Sequence, residues 1–153
     1  ITTLSAVFQA SDRVTLMADA SRTGWSSLRT IDIDFDNAQA TSSELYEWRD
    51  VMFYSLGGEF AMNDRLTLRA GVAFDEAPVT DARRTPRLPD ADRTWFSLGA
   101  TYAVNDALEV SAAYTHITIE DPTINAHSSS GSLLMGDFEG DANLFGVSAQ
   151  YKF

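Results

Sequence analysis

The chain closes with Asn143-Leu144-Phe145-Gly146-Val147-Ser148-Ala149-Gln150-Tyr151-Lys152-Phe153, and this stretch decides the fold. From Phe145 onward, every second residue is apolar, and the residues between are small or polar. Side chains alternate between the two faces of a β-strand, so one face here is apolar and the other is wet. Strands of bacterial outer-membrane barrels have this character, because one face meets lipid and the other meets water. We therefore interpret the stretch as a lipid-facing transmembrane strand.

The same period of two recurs in six earlier segments. These are Thr2–Ala10, Val14–Ser21, Trp48–Ala61, Leu66–Asp75, Thr94–Val104 and Leu108–Ile119. In Leu66–Asp75, the clearest case, one face carries Leu66, Leu68, Ala70, Val72 and Phe74. Nearly all of the segments reach the roughly 9–11 residues that a tilted membrane strand needs. The pattern predicts an all-β chain with about seven antiparallel strands and no helical periodicity.

The connections between these segments alternate in length. Tight turns are predicted at Ser11-Asp12-Arg13, Asn63-Asp64-Arg65 and Asn105-Asp106, where Asn and Asp tolerate the required backbone conformations. Long polar excursions occupy residues 22–47, 76–92 and 120–141. Short periplasmic turns and long external loops are the asymmetry of a membrane barrel. In the first excursion, the apolar residues Ile31, Ile33 and Phe35 occupy odd positions, whereas the apolar residues of the second segment occupy even positions. We therefore predict that the second strand continues into this excursion through a bulge near Thr23-Gly24, which would shift the alternation by one residue.

A soluble antiparallel β-sandwich is the main alternative, because its strands also alternate. A barrel is favoured because all seven segments share one pattern with few charges at outward positions. Aromatic residues also lie near both strand ends, as they do in interfacial girdles: Phe8, Phe60, Tyr102 and Phe153 at one end, and Phe74, Phe96 and Tyr114 at the other. Residues 1–153 are expected to form a single barrel segment. Single-chain bacterial barrels have even strand numbers, so seven strands predict part of a larger barrel.

Composition excludes several other classes. Acidic residues outnumber basic ones by 22 to 11, which argues against a nucleic-acid partner. The chain has no cysteine, so disulfides, thiolate chemistry and Cys-ligated metals are excluded for it. No apolar run approaches the roughly 18 residues of a membrane helix.

Several stretches together resemble the FadL-type long-chain fatty acid transporters of the Gram-negative outer membrane. They are Trp48-Arg49-Asp50, Tyr54-Ser55-Leu56-Gly57, the run 66–79, Arg84-Thr85-Pro86-Arg87-Leu88-Pro89-Asp90 with its continuation to Arg93, and the run 95–100. The resemblance implies a fourteen-stranded barrel whose N-terminal segment plugs the lumen, with this chain as the C-terminal half. It also implies passive uptake of long-chain fatty acids or similar hydrophobic compounds, without a covalent step or a cofactor. The alternatives are a general porin or structural barrel without specific lipid binding, and a barrel lipase or protease.

Arg49 is the leading candidate for substrate binding, together with Val51 and Phe53. All three occupy odd positions of the third segment, which are predicted to face the lumen, and all three lie near its outer end. A cation beside an apolar wall can pair with a fatty-acid carboxylate while the acyl tail leaves water. The resemblance implies a basic residue at about this position in the family's binding pocket. The alternative is a lumen salt bridge from Arg49 to Glu59 or Asp19.

Other charged residues have more ordinary interpretations. Arg69, Glu59, Glu109 and Lys152 face inward and are expected to pair across strands. A loop carries Arg83, Arg84, Arg87 and Arg93 among prolines and aspartates. This loop could contact lipopolysaccharide or gate substrate entry, but internal Arg–Asp pairing is the favoured interpretation.

The remaining expected partners are outer-membrane lipid and the barrel-insertion machinery, the latter through Phe153.

Neither metal binding nor catalysis is predicted. Asp32, Asp34 and Asp36 have the spacing of a calcium loop, but Asn37 stands where its glycine belongs and Ser43 where its glutamate belongs. His116 has outward parity, and His127 precedes the serine run 128–130. No acid is spaced to orient either histidine as a base, so no Ser/His hydrolase site is expected.

Overall fold

The computed structural model describes residues 1–127 and 131–153. Its eleven strands are β1 (Thr2–Ser11), β2 (Val14–Thr23), β3 (Thr30–Ile33), β4 (Ser42–Leu45), β5 (Val51–Ala61), β6 (Leu66–Asp75), β7 (Arg93–Ala103), β8 (Leu108–Ile119), β9 (Thr123–His127), β10 (Leu133–Asp137) and β11 (Asp141–Tyr151). Two 3-10 turns, Trp25–Ser27 and Asp81–Arg83, are the only helical elements in the described part of the chain. Neither has the length or apolarity to cross a bilayer.

Seven of the strands form one antiparallel sheet in the order β1-β2-β5-β6-β7-β8-β11. This confirms the predicted all-β class and the predicted seven strands. The other four strands form two separate hairpins, β3–β4 and β9–β10. These hairpins lie within the first and third long excursions. The sequence pattern predicted a continuation of the second strand in the first excursion and only a polar loop in the third.

The register places most of the apolar residues of the seven sheet strands on one face. Leu56 of β5, for example, is opposite Ala18 on β2 and Val72 on β6. Near one edge of the sheet, Phe145 of β11 is opposite Tyr114 of β8. We call the face that carries these apolar residues the lipid face, and we call the opposite face the lumen face. Large apolar side chains are exposed on the lipid face, among them Leu4, Phe8, Leu56, Leu98, Phe145 and Val147. Such a continuous apolar surface is stable against lipid rather than water.

In each of the three tight turns, the side-chain oxygen of one residue accepts hydrogen bonds from two backbone N–H groups that follow it. Asn63 Oδ1 accepts the backbone N–H groups of Arg65 and Leu66, both at 2.9 Å. Asn105 does the same for Ala107 and Leu108, and the Ser11 hydroxyl substitutes for the amide in the first turn. A short polar side chain that caps its own turn fixes the strand register. These turns define the short-turn end of the sheet, and the long connections define the long-loop end.

The predicted bulge near Thr23-Gly24 is wrong. β2 ends at Thr23, and Ile31 and Ile33 belong to the separate hairpin β3–β4, while Phe35 lies beyond β3. The chain turns away because the Asp50 carboxylate accepts the Ser26 backbone N–H at 2.9 Å and the Arg22 guanidinium at 2.5 Å. These bonds fix a corner where the pattern predicted a continuous strand.

The third predicted strand is shorter than its alternation suggested. β5 begins at Val51, so Trp48, Arg49 and Asp50 lie outside the sheet. The Trp48 N–H bonds to the Leu28 carbonyl at 3.4 Å, and the Arg49 N–H bonds to the Pro78 carbonyl at 3.1 Å. Both partners belong to long connections, so these loop contacts replace strand pairing.

The Asp50 corner leads to a prediction about pH. Hydrogen bonds from Ser26, helped by the Arg22 guanidinium, hold the pKa of Asp50 below its ordinary value. A depressed carboxyl pKa stabilises the folded corner above the unfolded-state pKa, and the effect disappears as pH falls through the folded-state pKa. We expect the protection of the Ser26 amide hydrogen, measured relative to its intrinsic exchange rate, to persist at neutral pH and to be lost only as pH falls below about 4, the ordinary carboxyl range. Asp50→Asn should accelerate this exchange at neutral pH; equal protection in both proteins would contradict the assignment.

Candidate functional site

The lumen face of β2, β5, β6 and β7 carries a recess. Its cavity measures about 350 Å³, and the lumen-face residues lining it are Met17, Asp19, Phe53, Ser55, Gly57, Gly71, Ala73, Trp95 and Ser97. Strand pairing brings these distant residues together, since Ala73 is opposite Ser55 on one side and Trp95 on the other. We call this cavity the wall recess.

Two glycines form the floor of the wall recess. Gly57 and Gly71 are opposite each other in the register, so neither adds a side chain to the lumen face. A Cβ built at Gly57 would lie 3.5 Å from the Ala70 carbonyl oxygen, and one at Gly71 would lie 3.4 Å from the Leu56 carbonyl oxygen. These are contact distances without a clash. The depth of the recess therefore comes from missing side chains rather than from a distorted backbone.

Trp95 gives the wall recess an unused hydrogen-bond donor. Its indole Nε1–H is buried and has no acceptor among the described residues. Leaving such a donor unpaired costs about 1–3 kcal/mol, and it is uncommon in native structures.

Ion pairs border the wall recess at both ends. Toward the short turns, Arg69 Nε donates to Glu59 Oε2 at 2.8 Å, and its Nη1 donates to the Thr101 hydroxyl at 2.6 Å. Toward the long loops, Arg93 Nη1 lies 3.4 Å from Asp75 Oδ2. The cross-strand pair Glu59–Arg69 confirms the predicted lumen pairing for these two residues. Between the two ion pairs, the lining is apolar or small apart from Asp19, Ser55 and Ser97.

The three residues predicted as a substrate site do not share one cavity. Arg49 lies at the long-loop end and lines a separate cavity of about 470 Å³. Val51 begins β5 and is buried, whereas Phe53 lines the wall recess. A substrate that touched both Arg49 and Phe53 would therefore have to extend from the loops into the sheet.

Arg49 makes hydrogen bonds to residues that its position in the predicted strand did not indicate. Its Nε donates to the Ala77 carbonyl at 3.0 Å, and its Nη2 lies 3.4 Å from Asp92 Oδ1. The same Asp92 oxygen accepts the Ala77 N–H at 2.7 Å. The suggested salt bridge to Glu59 or Asp19 is therefore wrong, because Arg49 precedes the strand that carries the lumen face. About half of its side chain stays exposed, so the guanidinium is accessible.

Each of the four loop arginines has an acidic partner, but the favoured internal Arg–Asp pairing is confirmed only for Arg84 and Arg93 and is wrong for Arg83 and Arg87. Arg83 pairs with Glu47, Arg87 with Glu44, Arg84 with Asp81, and Arg93 with Asp75 and Asp90. Two of these acids, Glu44 and Glu47, belong to the first long connection rather than to the arginine loop. The pairs therefore join neighbouring loops as well as stiffening one.

Arg84 is the most enclosed of these side chains, with only 5% exposure. Its Nη1 donates to Asp81 Oδ1 at 2.6 Å and to the Thr123 carbonyl at 3.0 Å, and its Nε donates to the Asp90 carbonyl at 3.2 Å. Because Thr123 begins β9, Arg84 connects the arginine loop to the β9–β10 hairpin.

Three of the residues considered for metal binding and catalysis, Asp32, Asp34 and His116, have structural partners. Asp32 accepts the Ser43 hydroxyl at 2.6 Å, and Asp34 accepts the Thr41 hydroxyl at 2.7 Å. Among the described residues, no group of three potential ligands could hold a metal ion. His116 Nδ1 lies 3.0 Å from Asn143 Oδ1, so it donates to that carbonyl oxygen. The serine run 128–130 lies outside the described residues.

An antiparallel sheet with one lipid face, tight turns at one end and structured loops at the other defines a segment of a transmembrane β-barrel. The profile of the family described as "Outer membrane protein transport protein (OMPP1/FadL/TodX)" matches residues 1–153. The chain belongs to this family of outer-membrane transport proteins. It is therefore an outer-membrane protein, as predicted.

Individual relatives agree with this assignment. The 47 kDa outer membrane protein of Pasteurella multocida is 29% identical over 150 residues, covering 98% of this chain and 34% of the relative. A long-chain fatty acid transport protein of Escherichia coli O6:H1 is 32% identical over 133 residues, covering 86% of this chain and 29% of the relative. The chain thus spans about a third of the length of the curated relatives that it matches.

A solved structure supports the same architecture. The crystal structure of a Pseudomonas aeruginosa FadL homologue superposes with a TM-score of 0.89 at 33% identity, over 97% of this chain and 34% of that chain. The seven-stranded sheet is accordingly part of a larger barrel. The total of fourteen strands stays a prediction.

The sequence interpretation missed Met17, Trp95 and the glycine pair. One signal was available for Trp95, because it occupies a lumen position in a strand whose other bulky residues, Phe96 and Leu98, face lipid. No local signal marked Gly57 and Gly71, since their role depends on the register between β5 and β6.

Proposed function

We propose that this chain forms part of a passive outer-membrane pathway for long-chain fatty acids or similar hydrophobic compounds. The observation that carries the proposal is the wall recess, an apolar pocket on the lumen face between two ion pairs. A general porin needs a wet, charged lumen wall, whereas a hydrophobic substrate needs apolar surface there. The Escherichia coli relatives, which are long-chain fatty acid transport proteins, agree with this substrate class.

Physical chemistry explains how the recess would act. Each methylene group that leaves water gains about 0.8 kcal/mol, so an acyl chain is attracted to Met17, Phe53 and Trp95. The flanking pairs Glu59–Arg69 and Asp75–Arg93 are satisfied internally and therefore do not capture the substrate head group strongly. Binding is then tight enough for entry and weak enough for release, and no covalent step is required.

Arg49 is proposed to contact the carboxylate at the long-loop end. Its guanidinium uses Nε and Nη2 for Ala77 and Asp92, and its side chain remains about half exposed. Arginine has five N–H donors, so it can donate hydrogen bonds to a second carboxylate without losing those to the first. Val51 and Phe53 would continue the path toward the wall recess.

A test of Arg49 compares charged and neutral ligands. Arg49→Ala should weaken binding of hexadecanoate about threefold to tenfold, the range of partly exposed charge-assisted bonds. Binding of hexadecanol should change little, because it lacks the carboxylate. The measurement is ligand binding to the full-length protein in detergent by tryptophan fluorescence. Equal losses for both ligands would contradict the head-group role.

The proposed function itself is tested by uptake of alkyne-tagged hexadecanoate into cells that lack their own fatty acid transporters. Expression of the full-length protein should produce saturable uptake. Conductance of small ions without saturable uptake would instead support a general porin.

Two further partners are proposed from the location. Outer-membrane lipid, including lipopolysaccharide, would contact the lipid face and its exposed aromatic residues. Phe153, which follows β11 and is fully exposed, would be recognised by the barrel-insertion machinery. Phe153→Ala should lower the amount of protein in the outer membrane without changing uptake per inserted molecule.

A further inference from the structure

A groove opens on the lipid face of the sheet, opposite the side that carries the wall recess. Its cavity measures about 600 Å³, and its walls come from five adjacent strands, β2 and β5 to β8. We call it the lipid groove. The lipid-face side chains that line it are apolar on β2 and on β5 to β7, and on β8 they are Tyr114 and His116.

Small residues form the floor of the lipid groove. Gly58 is opposite Ala70 in the register, with Leu16 of β2 on one side and Leu98 of β7 on the other. The groove is therefore a depression between leucine side chains. An acyl chain that lies in a depression contacts more atoms than one on a flat surface, and each contact adds dispersion energy.

A hydrogen-bonded polar cluster closes the β8 side of the lipid groove. Asn143 Oδ1 accepts hydrogen bonds from the Tyr114 hydroxyl at 2.7 Å and from His116 Nδ1 at 3.0 Å. Asp141 orients the Asn143 amide, because the Asn143 Nδ2 donates to Asp141 Oδ2 at 3.1 Å. The Tyr114 ring is also packed against Phe145, with the ring centroids 4.9 Å apart. These contacts fix the orientation of the two polar side chains that line the groove.

His116 leaves one hydrogen-bond acceptor for a ligand. Because Nδ1 carries the proton, Nε2 of the neutral ring has a free lone pair. No residue in the part of the chain that the structure describes donates to this Nε2. A polar group on a lipid-exposed surface is costly unless it has a partner. Asp141 places a carboxylate in the same cluster, so a neutral donor such as a hydroxyl group fits better than an anionic phosphate.

The polar cluster lies in the outer half of the membrane span. His116 is three residues before the end of β8 at Ile119, toward the long loops. Long loops are external in barrels of this class, so the cluster faces the outer leaflet. The lipid of that leaflet is lipopolysaccharide, whose lipid A part has acyl chains with a hydroxyl group close to their point of attachment. The groove thus has its polar group at the depth where such a chain has its own.

We propose that the lipid groove is a specific binding site for one hydroxylated acyl chain of lipopolysaccharide. The chain lies over the Gly58–Ala70 floor, and its hydroxyl group donates a hydrogen bond to His116 Nε2. This goes beyond general contact with lipid, because it assigns one groove and one hydrogen bond. It is independent of the transported substrate, since the groove faces away from the lumen.

Native mass spectrometry of the full-length protein in detergent tests the site. The probes are lipid A with hydroxymyristoyl chains and a synthetic analogue with unsubstituted myristoyl chains, and the affinity for the first bound lipid is measured. The wild type should bind the hydroxylated lipid about threefold to tenfold more tightly, the range of one neutral hydrogen bond. His116→Leu should remove this preference. His116→Gln should restore part of it, because its amide oxygen accepts a hydrogen bond.

Two alanines on the lipid face provide a matched pair of variants. Ala70→Leu fills the floor of the groove, so it should weaken binding of both lipids about threefold or more. Ala112→Leu adds the same side chain to the lipid face outside the groove, so both affinities should stay the same. Uptake of hexadecanoate should be unchanged in all of these variants.

The outcomes separate this site from the proposed function. Equal affinity of the wild type for the two forms of lipid A overturns the proposal, and so does a preference that survives His116→Leu. Equal losses in Ala70→Leu and Ala112→Leu, or no loss in either, also overturn it. Phosphatidylethanolamine that binds as tightly as hydroxylated lipid A would show that the groove is not specific and would overturn it too. Each of these results leaves the proposed function intact, because that function is tested by uptake.

Discussion

Gly71→Leu should reduce uptake of hexadecanoate by about tenfold or more, which corresponds to the loss of at least ~1.4 kcal/mol of substrate interaction. The new side chain would project from the lumen face into the wall recess and fill space that the acyl chain is proposed to occupy. The backbone tolerates the change, because Gly71 does not have a positive φ and a Cβ there meets no atom closer than 3.4 Å. Uptake into cells, normalised to the amount of folded barrel, measures the effect.

Ala70→Leu is the matched control for this variant. Ala70 is the preceding residue on β6 and faces lipid, where a leucine is favourable. Uptake should therefore stay close to the wild-type rate. If Ala70→Leu and Gly71→Leu reduce uptake equally, the effect comes from the strand itself and the assignment of the recess is wrong. Full uptake by Gly71→Leu would place the substrate path elsewhere.

Arg84→Met should loosen the long-loop end by about 2–4 kcal/mol of local unfolding free energy. The change removes three hydrogen bonds and leaves the carbonyl groups of Asp90 and Thr123 without their guanidinium partner. Because Arg84 connects two loops, both should lose protection together. Hydrogen–deuterium exchange of the segments 76–92 and 120–127 measures this directly.

Arg87→Met provides the comparison for Arg84. Its side chain is 79% exposed, and its one contact with Glu44 is long, so the loss should be below about 1 kcal/mol. Protection of β5 to β8 should not change in either variant, since the sheet is held by its own backbone pairing. Equal exchange in the two loop variants would show that burial of Arg84 does not stabilise the loops.

The sheet was predictable because its determinants are local. Leu66–Asp75 was predicted with its observed bounds, since the alternation in it is uninterrupted and a self-capped asparagine turn precedes it. The lipid face followed from the same alternation. Where an alternating pattern continued into a loop, as at Ile31 and Ile33, the sequence predicted a longer strand than exists. The competing hydrogen bond from the Ser26 N–H to the Asp50 carboxylate joins residues far apart in the chain, so no local pattern contains it.

The site was less predictable, because it depends on which strands are neighbours. Met17, Phe53 and Trp95 come from three strands, and only the register places them around one recess. Arg49 was identified as a candidate from its parity, yet its contacts with Ala77 and Asp92 depend on the path of the second long connection. Nearest-neighbour patterns carry no information about such contacts.

Site-specific protection is the most direct test of the central claim that the wall recess binds the acyl chain. The chain has no cysteine, so single cysteines can be introduced without background from it. Ala73→Cys lies in the recess, and Thr67→Cys lies on the same face of β6 near the short turns. Saturating hexadecanoate should slow maleimide labelling of Ala73→Cys severalfold and leave Thr67→Cys unchanged. Unchanged labelling at Ala73→Cys, with the fatty acid bound to the protein, would contradict the account.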